Sequence, residues 1–299
     1  MSITVHHSIS DLYRSLNLPI EQELDFTIHF LPGIHLNFPF KSPVFRAEYF
    51  SFVFVKDGKG NYTTDAQTFS YDSGTIYFTN PGHIKAFEIE EARDSYIITL
   101  TETFLRENVH PDIFDEFPFL LAETVPPIFI SSEAFKEFEA IYLQIYTEFQ
   151  KSSNYKNRIL GNLFVVLLLK IKEQFWQSYN PLEEGDRNSQ IVKSFKHLLE
   201  EQFKGLTNPG SMYNYRVQDY ADALHLHPNY LNNVIKSKTG KTVNDWISER
   251  LLSAAKALLK NTNLSSKEIG YRLGYSEATH FSRFFKKLTQ LSPLEYRKS

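Results

Sequence analysis

The chain of 299 residues contains no cysteine. A disulfide scaffold, a thiolate nucleophile, a Cys-ligated zinc and an iron–sulfur cluster are therefore excluded. Long apolar runs are also missing. The longest, Leu163–Leu169, has seven residues, far short of the ~20 that span a bilayer. The start, Met1 to His7, lacks the basic and apolar segments of a secretory signal. The expectation is a cytoplasmic protein with no membrane partner. No serine sits in a nucleophile-elbow sequence, and no glycine loop fits a phosphate. With 42% apolar and 22% charged residues, wholesale disorder is excluded and one large or two medium domains are expected.

The charge is unevenly distributed. Residues 1–188 hold 15 Lys and Arg against 26 Asp and Glu, whereas residues 189–299 hold 17 against 9. A basic last third on an acidic body points to a polyanion-binding module on its own domain.

The first part reads as strands. Phe26, Ile28 and Phe30 alternate with Thr27 and His29, the period of a half-buried strand. A second strand, Ala47–Val55, is expected to end at Lys56-Asp57-Gly58, a hairpin signal, and to return over Asn61–Thr64. Short strands follow at Thr68–Tyr71, Thr75–Thr79, Lys85–Ile89 and Tyr96–Leu100, with turns at Asp72-Ser73-Gly74, Asn80-Pro81-Gly82 and Glu91–Asp94. Many short strands with regular turns imply a small barrel or jelly roll.

Residues 131–178 read as two helices. Ser131 or Ser132 caps the first, which repeats Phe135, Phe138, Ile141 or Tyr142, Ile145 and Phe149 at helical spacing. The second, roughly 155–178, is apolar on every side at its centre, so either its own domain or a second copy of the chain must cover it. The polar stretch 180–188 then reads as a linker, where the charge changes sign.

The last ~85 residues carry one pattern twice. Tyr220-Ala221 and Leu224 match Ile269-Gly270 and Leu273 at an offset of 49. Leu231, Ile235 and Lys236 match Phe281, Phe285 and Lys286 at 50. Each copy has the parts of a helix-turn-helix, with a small residue, Ala221 or Gly270, where two helices approach. Pro228 suits a first helical turn, Thr242/Asp245 and Ser265/Glu268 form capping boxes, Ser276 can cap the second recognition helix, and Ser292-Pro293 starts a terminal turn. A connecting helix over roughly Thr242–Lys260 spans about 28 Å at 1.5 Å per residue. Successive major grooves lie about 34 Å apart, so this connector can set two recognition helices into adjacent grooves. A six-helix bundle with no ligand is the alternative.

This stretch resembles the DNA-binding domain of the AraC/XylS family of bacterial transcription regulators. The resemblance is carried by Ile269-Gly270, Leu273-Gly274-Tyr275, Phe281, Arg283, Phe285-Lys286-Lys287 and Ser292-Pro293-Leu294-Glu295-Tyr296-Arg297. Tyr230-Leu231, Ile235-Lys236, Thr239-Gly240, Trp246-Ile247 and Arg250-Leu251 extend it through the first copy. It departs at Gln290-Leu291, Ser276 and His280, which touch turns and caps.

The resemblance implies a regulator, leaning toward an activator, that binds double-stranded DNA, forms a homodimer and meets RNA polymerase. It implies an α+β chain: a cupin-like β jelly roll over 1–130 that senses a small-molecule effector, a helical dimerisation segment over 131–179, the linker, and an all-α domain over 189–299. Carried over by position, Asn229, Asn232 and Asn233, then Ala278, Thr279, Ser282 and Arg283, would read bases. Asn pairs with adenine and Arg with guanine in the major groove, and Arg283 can alternatively hold a phosphate. Lys236, Lys286, Lys287 and Arg297 would contact the DNA backbone.

In the barrel, Phe38, Phe40, Phe50, Phe52, Tyr62, Tyr77 and His83 are candidates for lining an effector pocket, or simply pack it. Residues 74–83 resemble a late cupin turn. A metal-binding cupin needs a His-x-His pair and a carboxylate on an earlier strand, but residues 47–65 hold no histidine. His83 with Glu88 leaves too few ligands, and His29 and His35 are scattered. The expectation is no metal, no cofactor and no enzymatic activity. A cupin-type enzyme fused to a DNA-binding domain is the alternative.

Overall fold

A computed structural model describes residues 3–16, 18, 24–34, 38–65, 67–110, 113–122, 125–178, 186–204, 212–213 and 215–298. Residues 180–185 of the expected linker, and His35, lie outside the described residues. The chain divides into two compact units, residues 1–109 with 117–184, and residues 185–299 with 110–116.

The first unit is sheet-rich. Its strands are β1 (Thr4–His6), β2 (Phe26–Phe30), β3 (Phe40–Lys41), β4 (Phe45–Ala47), β5 (Phe50–Thr64), β6 (Gln67–Tyr71), β7 (Thr75–Thr79), β8 (Ile84–Leu100) and β9 (Ile128–Phe129). They form one sheet with β5 and β8 as its spine. These two pair antiparallel from Phe50 opposite Leu100 to Thr64 opposite Lys85. The free edge of β8 takes β2, β3 and β4, and that of β5 takes β7 and β6.

The expected hairpin at Lys56-Asp57-Gly58 is therefore not a turn, nor is Glu91–Asp94; both lie within long strands. The physical reason is a bulged stretch, with register shifts between Val55 and Gly60. A Cβ at Gly58 would lie 2.6 Å from the Glu91 carbonyl oxygen, and one at Gly60 would collide with that of Glu88. These glycines serve close backbone approach rather than reversal. The reversal comes at Asp65, in the left-handed region with φ 51°. Its carboxylate accepts the Ile84 N–H at 3.0 Å and lies 2.8 Å from His83 Nδ1.

One face of the spine packs on helices α2 (Glu102–Asn108), α4 (Ser132–Phe149) and α5 (Lys156–Ser178); α1 is Ile9–Ser15 and α3 is Ile113–Glu116. Phe52 meets Phe164 edge-on at 5.0 Å and stacks on Phe78 at 5.1 Å. Phe54 meets Tyr142, and Phe26 meets Phe104. Truncating such a buried Phe costs about 3–5 kcal/mol. Ser131 caps α4, its Oγ accepting the Ala134 N–H.

The centre of α5 is two-sided rather than covered all round. Leu160, Phe164, Leu167, Leu168 and Ile171 are buried, while Ile159, Val166 and Leu169 are exposed.

The second unit is helical through α6 (Arg187–Phe203), α7 (Val217–Ala223), α8 (Pro228–Thr239), α9 (Val243–Asn261), α10 (Ser266–Arg272), α11 (Ala278–Thr289) and α12 (Pro293–Lys298). One apolar cluster runs through both repeats, from Val192 and Phe195 through Leu231 and Ile235 to Phe281 and Phe285. A Cβ at Gly270 would sit 3.0 Å from Phe281 Cβ, which is why this position is small. The capping boxes of α9 and α10 are both formed. Their hydrogen bonds to Thr242 and Ser265 hold the Asp245 and Glu268 carboxyls below the usual range. The cap of α11 differs from expectation: Glu277, not Ser276, is the N-cap, with no side-chain cap bond.

Candidate nucleic-acid interface and internal cavity

Helices α8 and α11 are the second helices of the two helix-turn-helix repeats, each buried by one face. Leu231, Val234 and Ile235 bury that face of α8, and Phe281 and Phe285 that of α11. The opposite faces carry matching side chains. On α8, Asn229, Asn233 and Lys236 fall at helical spacing and all are exposed. On α11, Thr279, Arg283, Lys286 and Lys287 do the same. Ala278 and Ser282 flank that face and are half-buried. Both helices end on a left-handed residue, Gly240 (φ 82°) and Gln290 (φ 61°). The connector α9 has 19 residues, about 28 Å at 1.5 Å per residue.

Two expected DNA contacts are tied into the fold instead. The Asn232 side-chain oxygen accepts the Val243 N–H at 3.1 Å, at the start of α9. Bidentate adenine recognition needs that oxygen as well as the amide NH2, so Asn232 is a positioning residue for α9. Arg297 donates from Nε to the Leu259 carbonyl at 3.0 Å, and from a terminal nitrogen to the Leu264 carbonyl. Its guanidinium clamps the end of α9 to the approach of α10 rather than reaching outward for a phosphate.

The first unit holds a cavity of about 310 Å³. Of the seven expected lining residues, only Phe40 and Tyr77 border it. Phe50 and Phe52 are on the opposite face of β5, where Phe52 meets α5. Tyr62 stacks on Tyr77 at 4.3 Å and donates its hydroxyl to the Val125 carbonyl at 2.6 Å. Phe38 packs against the apolar cluster of Val53, Tyr62 and Tyr77. His83 is buried against Asp65. The correction is one of parity: Ser51 and Val53, not Phe50 and Phe52, face the cavity.

The cavity wall also includes His6, Tyr13, His29, Tyr49, Lys85 and Thr99. Burial lowers the His6 and His29 imidazoles and raises the Tyr49 phenol. Burial also brings the Lys85 ammonium down to about 7. Among the described residues, no group of three or more His, Asp and Glu could hold a metal ion. None of the described helices is long and apolar enough to cross a membrane.

A protein-family profile described as "Helix-turn-helix domain" matches residues 220–299, the span of both recognition helices. The arabinose operon regulatory protein of Escherichia coli (strain K12) is 24% identical over 290 residues, covering 94% of this chain and 93% of that protein. The HTH-type transcriptional activator RhaR of Mannheimia succiniciproducens is 22% identical over 270 residues, covering 88% and 89%. Its C-terminal part is an AraC-type helix-turn-helix domain.

The chain is a DNA-binding transcription regulator, with a sheet-rich N-terminal region and a helical C-terminal domain. The solved structure of ToxT from Vibrio cholerae is similar to it at 14% identity with a TM-score of 0.36, covering 92% of this chain and 98% of that one. Sequence reading missed Lys85, His6, Tyr13 and the cavity wall they form. A signal for part of it exists: Ser51 and Thr99 are polar residues inside the apolar runs 50–55 and 96–100, and Lys85 shares the alternation of Phe87 and Ile89.

Proposed function

We propose that this regulator reads its operator through α8 and α11 in successive major grooves, and that its barrel is a cupin-like sensor of a small molecule. The observation that carries the reading is the matched outer faces of the two helices, Asn229, Asn233 and Lys236 against Thr279, Arg283 and Lys286. The basic balance of the second unit supplies the phosphate attraction. Asn229, Asn233, Thr279 and Arg283 read bases, with Ala278 and Ser282 beside them. Lys236, Lys286 and Lys287 hold the DNA backbone.

The chain acts as a homodimer through α5. Tyr155, Ile159, Val166 and Leu169 are exposed along this helix and its approach at spacings of 4, 7 and 3, the seam of a two-helix coiled coil. It acts in the cytoplasm as an activator, meeting RNA polymerase, and not as an enzyme; the relatives named above are regulators, one of them an activator. The test is gel-shift selection from random duplexes by the full chain at rising salt. Enrichment of one site with two blocks about one helical turn apart is expected. Uniform binding of all duplexes would overturn the reading.

A further inference from the structure

DNA binding leaves the cavity of the first unit, and the lysine in its wall, without a role. Lys85 is 1% exposed. Its Nζ lies 3.5 Å from the Tyr49 carbonyl oxygen, at the outer limit of a hydrogen bond, and 5.9 Å from the Tyr49 ring centroid. No carboxylate among the described residues forms an ion pair with it. A buried ammonium with no carboxylate within ion-pair distance is costly, and proteins keep one where a ligand or a reaction uses it.

Several polar groups of the wall are already engaged. The Tyr13 hydroxyl bonds His29 Nε2, and His6 Nδ1 lies 3.2 Å from the Tyr49 hydroxyl. The Ser42 Oγ accepts the Phe87 N–H at 2.8 Å. Apart from Ser15, Ser51 and Thr99, the rest of the wall is apolar, with Val53, Phe87, Ile89 and Ile97. On β8, Lys85, Phe87 and Ile89 alternate onto the cavity side. Lys85 thus occupies an apolar position of the strand pattern and puts one cation in the wall of a largely apolar chamber.

We infer that the cavity takes a small amphipathic monocarboxylate, with its carboxylate on Lys85 Nζ and its apolar body against Val53, Phe87 and Ile97. This inference rests on the reading of the barrel as a sensor and names the class of effector. The volume of about 310 Å³ equals that of roughly ten water molecules, which suits a ligand of similar heavy-atom count. Charge pairing in this apolar wall is stronger than in water.

Binding carries a proton signature. Burial puts the Lys85 ammonium at about 7, so above neutral pH the free cavity holds a largely neutral amine and the carboxylate draws a proton onto it. The other titratable groups on the wall are His6, Tyr13, His29, Tyr49 and Tyr77, and Asp65 acts on Lys85 through its charge. Burial lowers the two histidines and raises the tyrosines. At about pH 8 these stay neutral, which leaves Lys85 as the group that takes up the proton.

The test is calorimetric titration of the full chain with octanoate, 3-phenylpropanoate and the neutral octanamide, at about pH 8 in buffers of different ionisation enthalpy. At least one carboxylate is expected to bind, at least about tenfold more tightly than the amide, with uptake of up to one proton. Lys85→Met and Lys85→Gln, each checked for an intact thermal transition, are expected to lose that preference and the proton uptake. The inference fails if neither carboxylate binds, if octanamide binds as tightly as octanoate, or if both variants keep the carboxylate preference. Gel shifts on the same samples separate the two readings. Retained DNA binding without a carboxylate preference sinks only the ligand class, and carboxylate binding without DNA binding sinks only the operator reading.

Discussion

Asn232 Oδ1 accepts the Val243 N–H across the turn between α8 and α9 at 3.1 Å. That bond separates two adjacent asparagines that look equivalent in the sequence, since Asn233 points outward and is exposed. Asn232→Ala leaves a helix N-terminal N–H without its cap, and is expected to cost about 1 kcal/mol of stability with an unchanged base preference. Asn233→Ala is expected to relax preference in one half of the site with an unchanged Tm. Thermal melts and competition binding on single-base operator variants check both. The assignment fails if the two phenotypes are exchanged.

Arg283 and Lys286 sit one helical turn apart on the exposed face of α11. Arg283→Ala is expected to cost about 1–3 kcal/mol on the specific site and much less on random DNA. Lys286→Ala is expected to weaken both about equally and to lower the salt slope by about one unit. Equal weakening of every sequence by Arg283→Ala would make Arg283 a phosphate anchor.

The two sides of α5 give opposite expectations. Val166 is 44% and Leu169 46% exposed, whereas Leu167 and Leu168 are fully buried. A Val166→Asp, Leu169→Asp double variant is expected to yield a folded monomer in sedimentation velocity, while Leu167→Asp is expected to unfold the first unit, because it buries an unpaired charge. A wild-type chain that sediments as a monomer at high concentration would refute the dimer.

In the second unit, Arg250 Nε lies 3.1 Å from Glu200 Oε2, with both side chains over nine-tenths buried, and the guanidinium stacks 4.6 Å over Phe203. Glu200→Ala removes a carboxylate bonded to a buried cation and is expected to cost about 3–5 kcal/mol. Denaturant unfolding measures it. A loss within the range of a surface substitution would show the pair to be dispensable.

Lys85 has a stability signature of its own. Its folded-state value is lowered to about 7 from 10.5, so between those values the unfolded chain holds a proton that the folded chain has released. Stability then rises with pH across that window, and the penalty of the buried ammonium is full below it. Lys85→Met is expected to raise Tm most near pH 7 and below, with the gap closing toward pH 10. A constant gap across the series would show that Lys85 does not titrate in that window.

Much of this architecture is written locally. The capping boxes at Thr242/Asp245 and Ser265/Glu268, the proline start of α8, the 19-residue connector and the small residue at 270 are all legible from short spacings. Each depends on neighbours within a few residues, which helical periodicity exposes directly. The barrel is harder to read. Asp57-Gly58 has the form of a hairpin turn, yet it runs inside β5 because the bulged pairing with β8 needs glycine for backbone clearance.

Residue chemistry and spacing alone settled the division into a strand-rich first part and a helical last part, and the duplicated recognition unit. Tertiary structure decided which side of β5 meets the cavity, because a period of two assigns alternate residues to opposite faces without saying which face is enclosed. It also decided the tasks of Asn232, Arg297 and Lys85. Arg297 reaches carbonyls 38 and 33 residues away, and Lys85 faces a chamber assembled from β1, α1, β2 and the sheet spine. A polar side chain is committed by the partner that folding brings to it, and distant partners leave no mark in local sequence.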